Sequence, residues 1–293
     1  MAQQVQVENE ALYGFTVPDE AVWALAPDVA YRRLAMVNVV FLGRPGGDWV
    51  LVDAGLPGTA GMIARSAAAR FGADRPAAAI VLTHGHIDHV GALRTLAEKW
   101  NVPVYAHPLE HPYLNGQSAY PKPDPTVGGG AMSLLATLFP RGPLDVGTWL
   151  RPLPTDGTLP FLPGWRWIHT PGHSTGHVSL WREEDRLLVA GDAFITTAQE
   201  SAYAVAVQEP ELHGPPMYFT PDWEKAAESV RALAALEPET VVTGHGHGLR
   251  GPAMRQSLHT LATEFERVAV PAQGRYVGHP ATAEEGSAYP GRS

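Results

Sequence analysis

No segment constrains this chain more than Thr83-His84-Gly85-His86-Ile87-Asp88-His89-Val90-Gly91. An apolar run at 79–82 precedes it and reads as a buried strand; a helical pattern over 90–100 follows. Side chains at alternate positions of a strand end share one side, so His84 and His86 can face the same point. Where the backbone turns into the helix, Asp88 and His89 can aim at a second point close by, and Gly85 permits tight backbone approach. A lone histidine is usually a satisfied core or polar residue. Imidazoles and a carboxylate bunched this closely are hard to hold together unless a cation sits among them.

Four ligands do not complete two metals, and the remainder must lie farther along. His169-Thr170-Pro171-Gly172-His173-Ser174-Thr175-Gly176-His177 follows one expected strand, Gly191-Asp192-Ala193 closes another, and Thr243-Gly244-His245-Gly246-His247-Gly248 a third. Each offers a metal-binding side chain at the C-terminal end of a strand, where α/β sites usually assemble. Each is weak alone; their order after the first cluster makes them strong together.

The rest of the chain supplies a frame. Residues 36–53 read as two strands joined by a turn at 44–47, followed by an Ala-rich helix over 59–71 and a short strand at 102–106. Further strands are expected at 166–169, 177–181, 186–190 and 240–242. Thr220-Pro221 reads as an N-cap with proline at the first helical position, opening a helix that carries Trp223, Ala227, Val230 and Leu233 on one face. A last amphipathic helix carries Met254, Leu258, Leu261, Phe265 and Val268. This alternation indicates an α/β class. We expect one domain over 1–270, with an insertion at 115–148 that either packs on the surface or acts as a lid. The tail at 271–293 has no periodicity and is either disordered or draped over the body. A second irregular stretch runs from 196 to 219.

Composition narrows the function. The net charge is −9, the only lysines are Lys99, Lys122 and Lys225, and no basic stripe is present, which disfavours nucleic acid and anionic membranes as partners. With no cysteine, thiolate nucleophiles and cysteine-ligated zinc are excluded. The N-terminus lacks a signal-peptide pattern and no run approaches ~18 apolar residues, so a cytoplasmic protein acting on a small molecule is expected. Its oligomeric state is open, a homo-oligomer included.

The succession THGHIDHVG, TPGHSTGH, GDA and TGHG, with Val52-Asp53-Ala54-Gly55 before it, resembles the metallo-β-lactamase superfamily across residues 37–250. The resemblance implies an αββα sandwich of two mixed β-sheets flanked by helices, with a metal pair at one edge. By that match His84, His86 and His173 hold one ion, Asp88, His89 and His245 hold the other, and Asp192 bridges. Asp53 then orients ligands without binding metal. His177 and His247 match no ligand and are left with hydrogen-bonding, substrate or structural roles. His107, His111, His169, His213, His259 and His279 are background.

An imidazole and carboxylate set suits Zn²⁺ first, with Fe²⁺ or Mn²⁺ as alternatives. Two such ions about 3.5–4 Å apart can share a water and lower its pKa from near 16 towards neutrality. The implied reaction is metal-dependent hydrolysis by a bridging hydroxide, with Asp88 steering it or carrying a proton to the leaving group. Lactone-cleaving members carry a tyrosine three residues after the bridging aspartate. Ile195 stands there in this chain, so Tyr203 or Tyr218 would have to take over the role. Glyoxalase II-like thioesterases and persulfide dioxygenases place a basic, Gly-rich segment after that aspartate. Residues 194–200 carry no positive charge, so glutathione is not the expected substrate. The β-lactamases with a cysteine ligand are excluded, Asp192 argues against the cysteine-free ones, and the acidic balance fits nucleases poorly. Leu134, Leu135, Leu138, Phe139, Met217, Tyr218 and Phe219 are expected to make the pocket apolar, pointing to a small, fairly apolar ester or lactone. The rival readings are a mononuclear iron dioxygenase or a thioesterase of the same fold, and a non-catalytic metal-binding protein.

Overall fold

The computed structural model describes residues 5–6, 15–17, 22–128, 136–197 and 211–285. Two mixed sheets dominate them. The larger runs Phe15–Val17, Val22–Ala26, Val29–Leu34, Val37–Gly43 and Trp49–Val52 as an antiparallel meander, then continues in parallel through Ala79–Val81, Val104–Ala106 and Leu150–Pro152. The smaller orders Trp165–His169, Val178–Arg182, Leu187–Gly191, Thr240–Thr243 and Leu249–Arg250, with only the third pair of neighbours parallel to each other.

Alternation along the strands builds three layers of core. Val40, Leu42, Val50, Val52 and Val81 face one way and meet Val178, Leu180, Val189 and Val242 of the other sheet. The residues between them, Val39, Phe41, Trp49 and Leu51, face outward and are covered by the helices Ala60–Phe71 and Leu93–Trp100. On the far side Trp181, Leu188 and Ala190 pack under Trp223–Ala234 and Gly251–Thr263. A strand buried on both faces cannot alternate apolar with polar, which is why its sequence reads as a continuous apolar run. The result is helix, sheet, sheet, helix.

Several local expectations are corrected. The strands over 22–34 were not anticipated, because charged Arg32 and Arg33 interrupt their pattern; they extend the large sheet. The helix expected from 90 starts earlier, at Ile87–Val90, and resumes at Leu93–Trp100. Thr220 does not cap: its hydroxyl donates to Pro216 O at 2.8 Å, and Asp222 caps instead, accepting from Lys225 N at 3.0 Å. The last helix divides at Glu264. Leu138 is 77% exposed and walls nothing, whereas Phe139 and Phe219 pack around Val127, Ala136 and Tyr218. Leu134 and Leu135 lie outside the described residues. From the C-terminal segment, Tyr276 is buried and donates its hydroxyl to Lys122 O at 2.8 Å, while Ala281 N donates to Pro221 O. No helix among the described residues is long and apolar enough to cross a membrane.

Leu51 is fully buried between sheet and helices. Leu51→Ala is expected to cost about 2–5 kcal/mol in chemical denaturation, whereas Leu138→Ala should stay within about 0.5 kcal/mol. Similar losses at both sites would contradict this layering.

Candidate metal centre

Five strand ends meet at one edge of the two sheets. Asp53 follows Trp49–Val52, His84 follows Ala79–Val81, Asp192 follows Leu187–Gly191, and His245 follows Thr240–Thr243; His173 lies on the loop after Trp165–His169. The edge is tied across the sheets. Val178 N donates to Thr83 O at 2.9 Å, and Asn38 N donates to Gly244 O at 2.7 Å. The Asn38 amide donates to Thr243 O and Gly246 O, fixing the loop that carries His245. His86 is the last extended residue (φ −65°, ψ 150°), and its carbonyl accepts the first helical bonds from His89 and Val90. Across that reversal His84 and His86 group with His173 and Asp88 and His89 with His245, while the His84 and His89 rings stand 4.2 Å apart.

All seven expected side chains converge. The ligating atoms of His84, His86 and His173 lie within 4.8 Å of one another, as do those of Asp88, His89 and His245, and those of His84, His89 and Asp192. Asp192 Oδ2 stands between the outer triads, 3.4 Å from His173 Nε2, 3.5 Å from His89 Nε2 and 3.1 Å from His245 Nε2. Six of the seven are buried, and Asp88 alone is partly open.

The arrangement fits a cation. Among the described residues His84 Nε2, His89 Nε2 and Asp192 Oδ1 are buried with no hydrogen-bond partner, an arrangement that costs about 1–3 kcal/mol per group if nothing fills it. His86 Nδ1 and His173 Nε2 face each other at 2.9 Å. Two ring nitrogens at that distance need a proton or a metal between their lone pairs.

The two halves differ electrostatically. Burial pushes His84 and His173 well below the usual histidine range and His86 down to about 4, leaving neutral imidazoles with free lone pairs. Burial acts the same way on His89 and His245, but there carboxylates outweigh it: Asp192, Asp88 and Asp53 hold His89 well above its usual value, and Asp192 and Asp88 raise His245. The second half is therefore the more anionic.

The supporting residues are equally specific. Asp53, in left-handed backbone (φ 60°), accepts from Thr83 N at 2.8 Å and Thr83 Oγ1 at 2.7 Å, and lies 2.8 Å from His89 Nδ1. That contact turns His89 Nε2 towards the cluster. His245 Nδ1 meets Met36 O at 2.5 Å, with the same consequence. His177, pushed down to about 3 by burial, accepts at Nε2 from Asp192 N at 2.9 Å and so supports the central carboxylate from beneath. His247 is not drawn in: Arg33 donates to its Nε2 at 3.0 Å and Trp23 packs edge-on against it. Tyr218 is buried in the cluster with Val127 and Ala136, and Tyr203 lies outside the described residues.

Sequence reasoning missed Glu110 and Tyr120. Glu110 is fully buried, and its carboxylate takes the Tyr120 hydroxyl and donors from both histidine loops; the Tyr120 ring stands 4.4 Å from that of His86. Nothing in His107-Pro108-Leu109-Glu110-His111 separates this acid from a solvated one.

Residues 32–245 match the family model described as the metallo-beta-lactamase superfamily. The chain is 48% identical over 255 residues to "Probable metallo-hydrolase YflN" of Bacillus subtilis, covering 86% of this chain and 97% of that one. It is 30% identical to "Probable metallo-hydrolase YybB" of the same organism, over 69% and 78% of the two chains. Among solved structures, a beta-lactamase domain protein from Burkholderia ambifaria superposes with a TM-score of 0.59 at 21% identity, over 88% of this chain and 81% of that one. A protein solved in a di-iron-bound form gives 0.51 at 24% identity, over 86% and 97%. At these identities the structural likeness is one of fold.

Proposed function

The chain belongs to the metallo-β-lactamase superfamily, and on that premise we propose that it is a dinuclear metal-dependent hydrolase of a small, fairly apolar ester or lactone. The observation that carries the reading is the convergence of seven side chains able to bind metal, three of whose buried nitrogen and oxygen atoms have no hydrogen-bond partner among the described residues. His84, His86 and His173 would hold one ion, Asp88, His89 and His245 the other, with Asp192 between them. The donor set suits zinc, and the di-iron form of a similar fold keeps iron in the test. When bound, such a pair supplies a water acidified towards neutrality and a Lewis acid for the substrate's carbonyl oxygen.

The chain's own residues do the rest. Asp53 and the Met36 carbonyl orient His89 and His245. Asp88, 3.4 Å from His245 Nε2 and the one candidate ligand open to the outside, takes up a proton at its carboxylate and returns it to the leaving group. A small recess beside His86 and His173, with room for about one water-sized group, is lined by Tyr120, Pro121, Phe219, Pro221 and Tyr276 together with polar Lys122, Ser174 and Thr175; the apolar part of that wall supports a small substrate with an apolar portion. The acidic balance of the chain supports a small-molecule substrate over nucleic acid.

Metal quantification on protein purified without chelator, coupled to lactone, aryl-ester, thioester and phosphotriester substrates, tests this. Two divalent ions per chain are expected, with lactone or aryl-ester turnover that chelation abolishes and the ion restores. One iron per chain with oxygen uptake, or turnover untouched by full stripping, would overturn it.

A further inference from the structure

We propose that Glu110 is a positioning residue for the first cation site, holding the two loops that carry His86 and His173 and thereby setting that site's affinity. The inference rests on the dinuclear reading above. Glu110 ends the short turn Pro108–Glu110, and its carboxylate is fully buried. Oε1 accepts from Ser174 Oγ at 2.7 Å and Gly176 N at 2.8 Å; Oε2 accepts from Gly85 N at 3.0 Å and from the Tyr120 hydroxyl. Gly85 separates His84 from His86, and Ser174 follows His173 directly. One carboxylate therefore joins two segments that lie far apart in the chain, each the immediate neighbour of a candidate ligand.

Both loops are shaped to admit it. A Cβ at Gly176 would stand 2.9 Å from Glu110 Oε1 and 2.8 Å from its Cγ, and a Cβ at Gly85 would stand 2.6 Å from the Tyr120 oxygen. Any side chain at either position displaces the carboxylate or the phenol.

Charge gives the arrangement its purpose. No arginine or lysine pairs with Glu110 among the described residues, so its desolvation is offset by hydrogen bonds alone; burial still pushes its carboxyl above the usual range. A dication held by His86 and His173 would supply the missing counter-charge through the low-dielectric interior. The second site is held by other groups, Asp53 on His89 and Met36 O on His245, which Glu110 does not touch.

The test titrates metal-stripped protein with Co²⁺, followed by visible absorption, and with Zn²⁺ in competition with a chelator. A His86→Ala protein identifies which binding step belongs to the first site. Glu110→Gln keeps the shape but, whichever way the amide lies, turns its NH₂ towards a backbone N–H, of Gly85 or Gly176, that can only donate. It is expected to weaken the first-site step roughly 10–100-fold, with the other step within about threefold. Tyr120→Phe removes one of the four hydrogen bonds and should weaken the same step less, by up to about tenfold. A merely structural role would lower the melting temperature of the apo protein without separating the two steps. Both steps unchanged, or both weakened alike, overturns the proposal. If Glu110→Gln does not fold, Tyr120→Phe decides by the same criterion. A parent protein that takes up a single ion overturns the dinuclear reading alone, and the Glu110 comparison is then read on that ion.

Discussion

An Asp192→Asn protein is expected to lose at least one of the two ions and to fall roughly 10²–10⁴-fold in kcat/KM, the rate equivalent of the 3–5 kcal/mol set by removing one partner of a buried charge pair. The size of the effect follows from where this carboxylate lies. Oδ2 is within 3.5 Å of imidazoles from three separate loops, and Oδ1 is buried with no hydrogen-bond partner among the described residues. Burial alone would raise its pKa, yet His245 and His89 hold it well below the usual carboxylate range, so it stands as an anion. Asparagine is nearly the same size but replaces that charge with a neutral amide, one end of which is a donor facing imidazoles. The neutral triad His84, His86 and His173 would retain its nitrogens; the shared anion would be gone. Metal content by elemental analysis, with steady-state rates on the same preparation, checks this. An Asp192→Asn protein that keeps two ions and its full rate would remove Asp192 from the centre.

The second large effect requires no change to any ligand. Gly244→Ala is expected to disrupt both halves at once, with a stability loss of about 1–3 kcal/mol from overpacking and an activity loss on the order of 10²-fold, as ångström-scale misplacement of reacting groups commonly produces. A Cβ on Gly244 would fall 1.9 Å from Asp192 Oδ1 and 2.7 Å from His89 Cε1. The backbone cannot yield easily, because Gly244 N donates to Gly191 O at 2.8 Å and its carbonyl accepts from Asn38 N at 2.7 Å. The two ligands must therefore move. Gly164→Ala is the control: its φ of 86° adds a left-handed strain that Gly244 does not carry, but no atom lies within 4 Å of the added carbon. It should cost about 1–3 kcal/mol of backbone strain and leave metal content intact. A Gly244→Ala protein with parental metal content and rate would show that the edge is looser than these contacts imply.

These two residues also divide what could be read from the chain and what could not. Asp192 was visible in sequence because Gly191-Asp192-Ala193 closes an apolar run and takes its place in the order of ligand-bearing segments after the first cluster. The importance of Gly244 was not, because the obstacle is Asp192, reached only when Leu187–Gly191 and Thr240–Thr243 lie side by side in parallel. Thr220 failed as a cap for a related reason: local preference named a plausible residue, while Asp222 had the backbone geometry to accept from Lys225 N.

The sequence by itself determined the α/β class and the metal-binding character of the first cluster, because both depend on patterns within short segments: strand and helix runs in alternation, and four side chains across one strand–helix junction. Tertiary structure alone decided that His177 supports Asp192 while His247 packs against Trp23, and that Glu110 ties the two loops together. Those contacts join separate strands and loops, 15 positions apart for His177 and Asp192 and 25 and 66 for the two loops that Glu110 ties. Strand order and register bring them within reach, and no local pattern encodes a distance across two sheets.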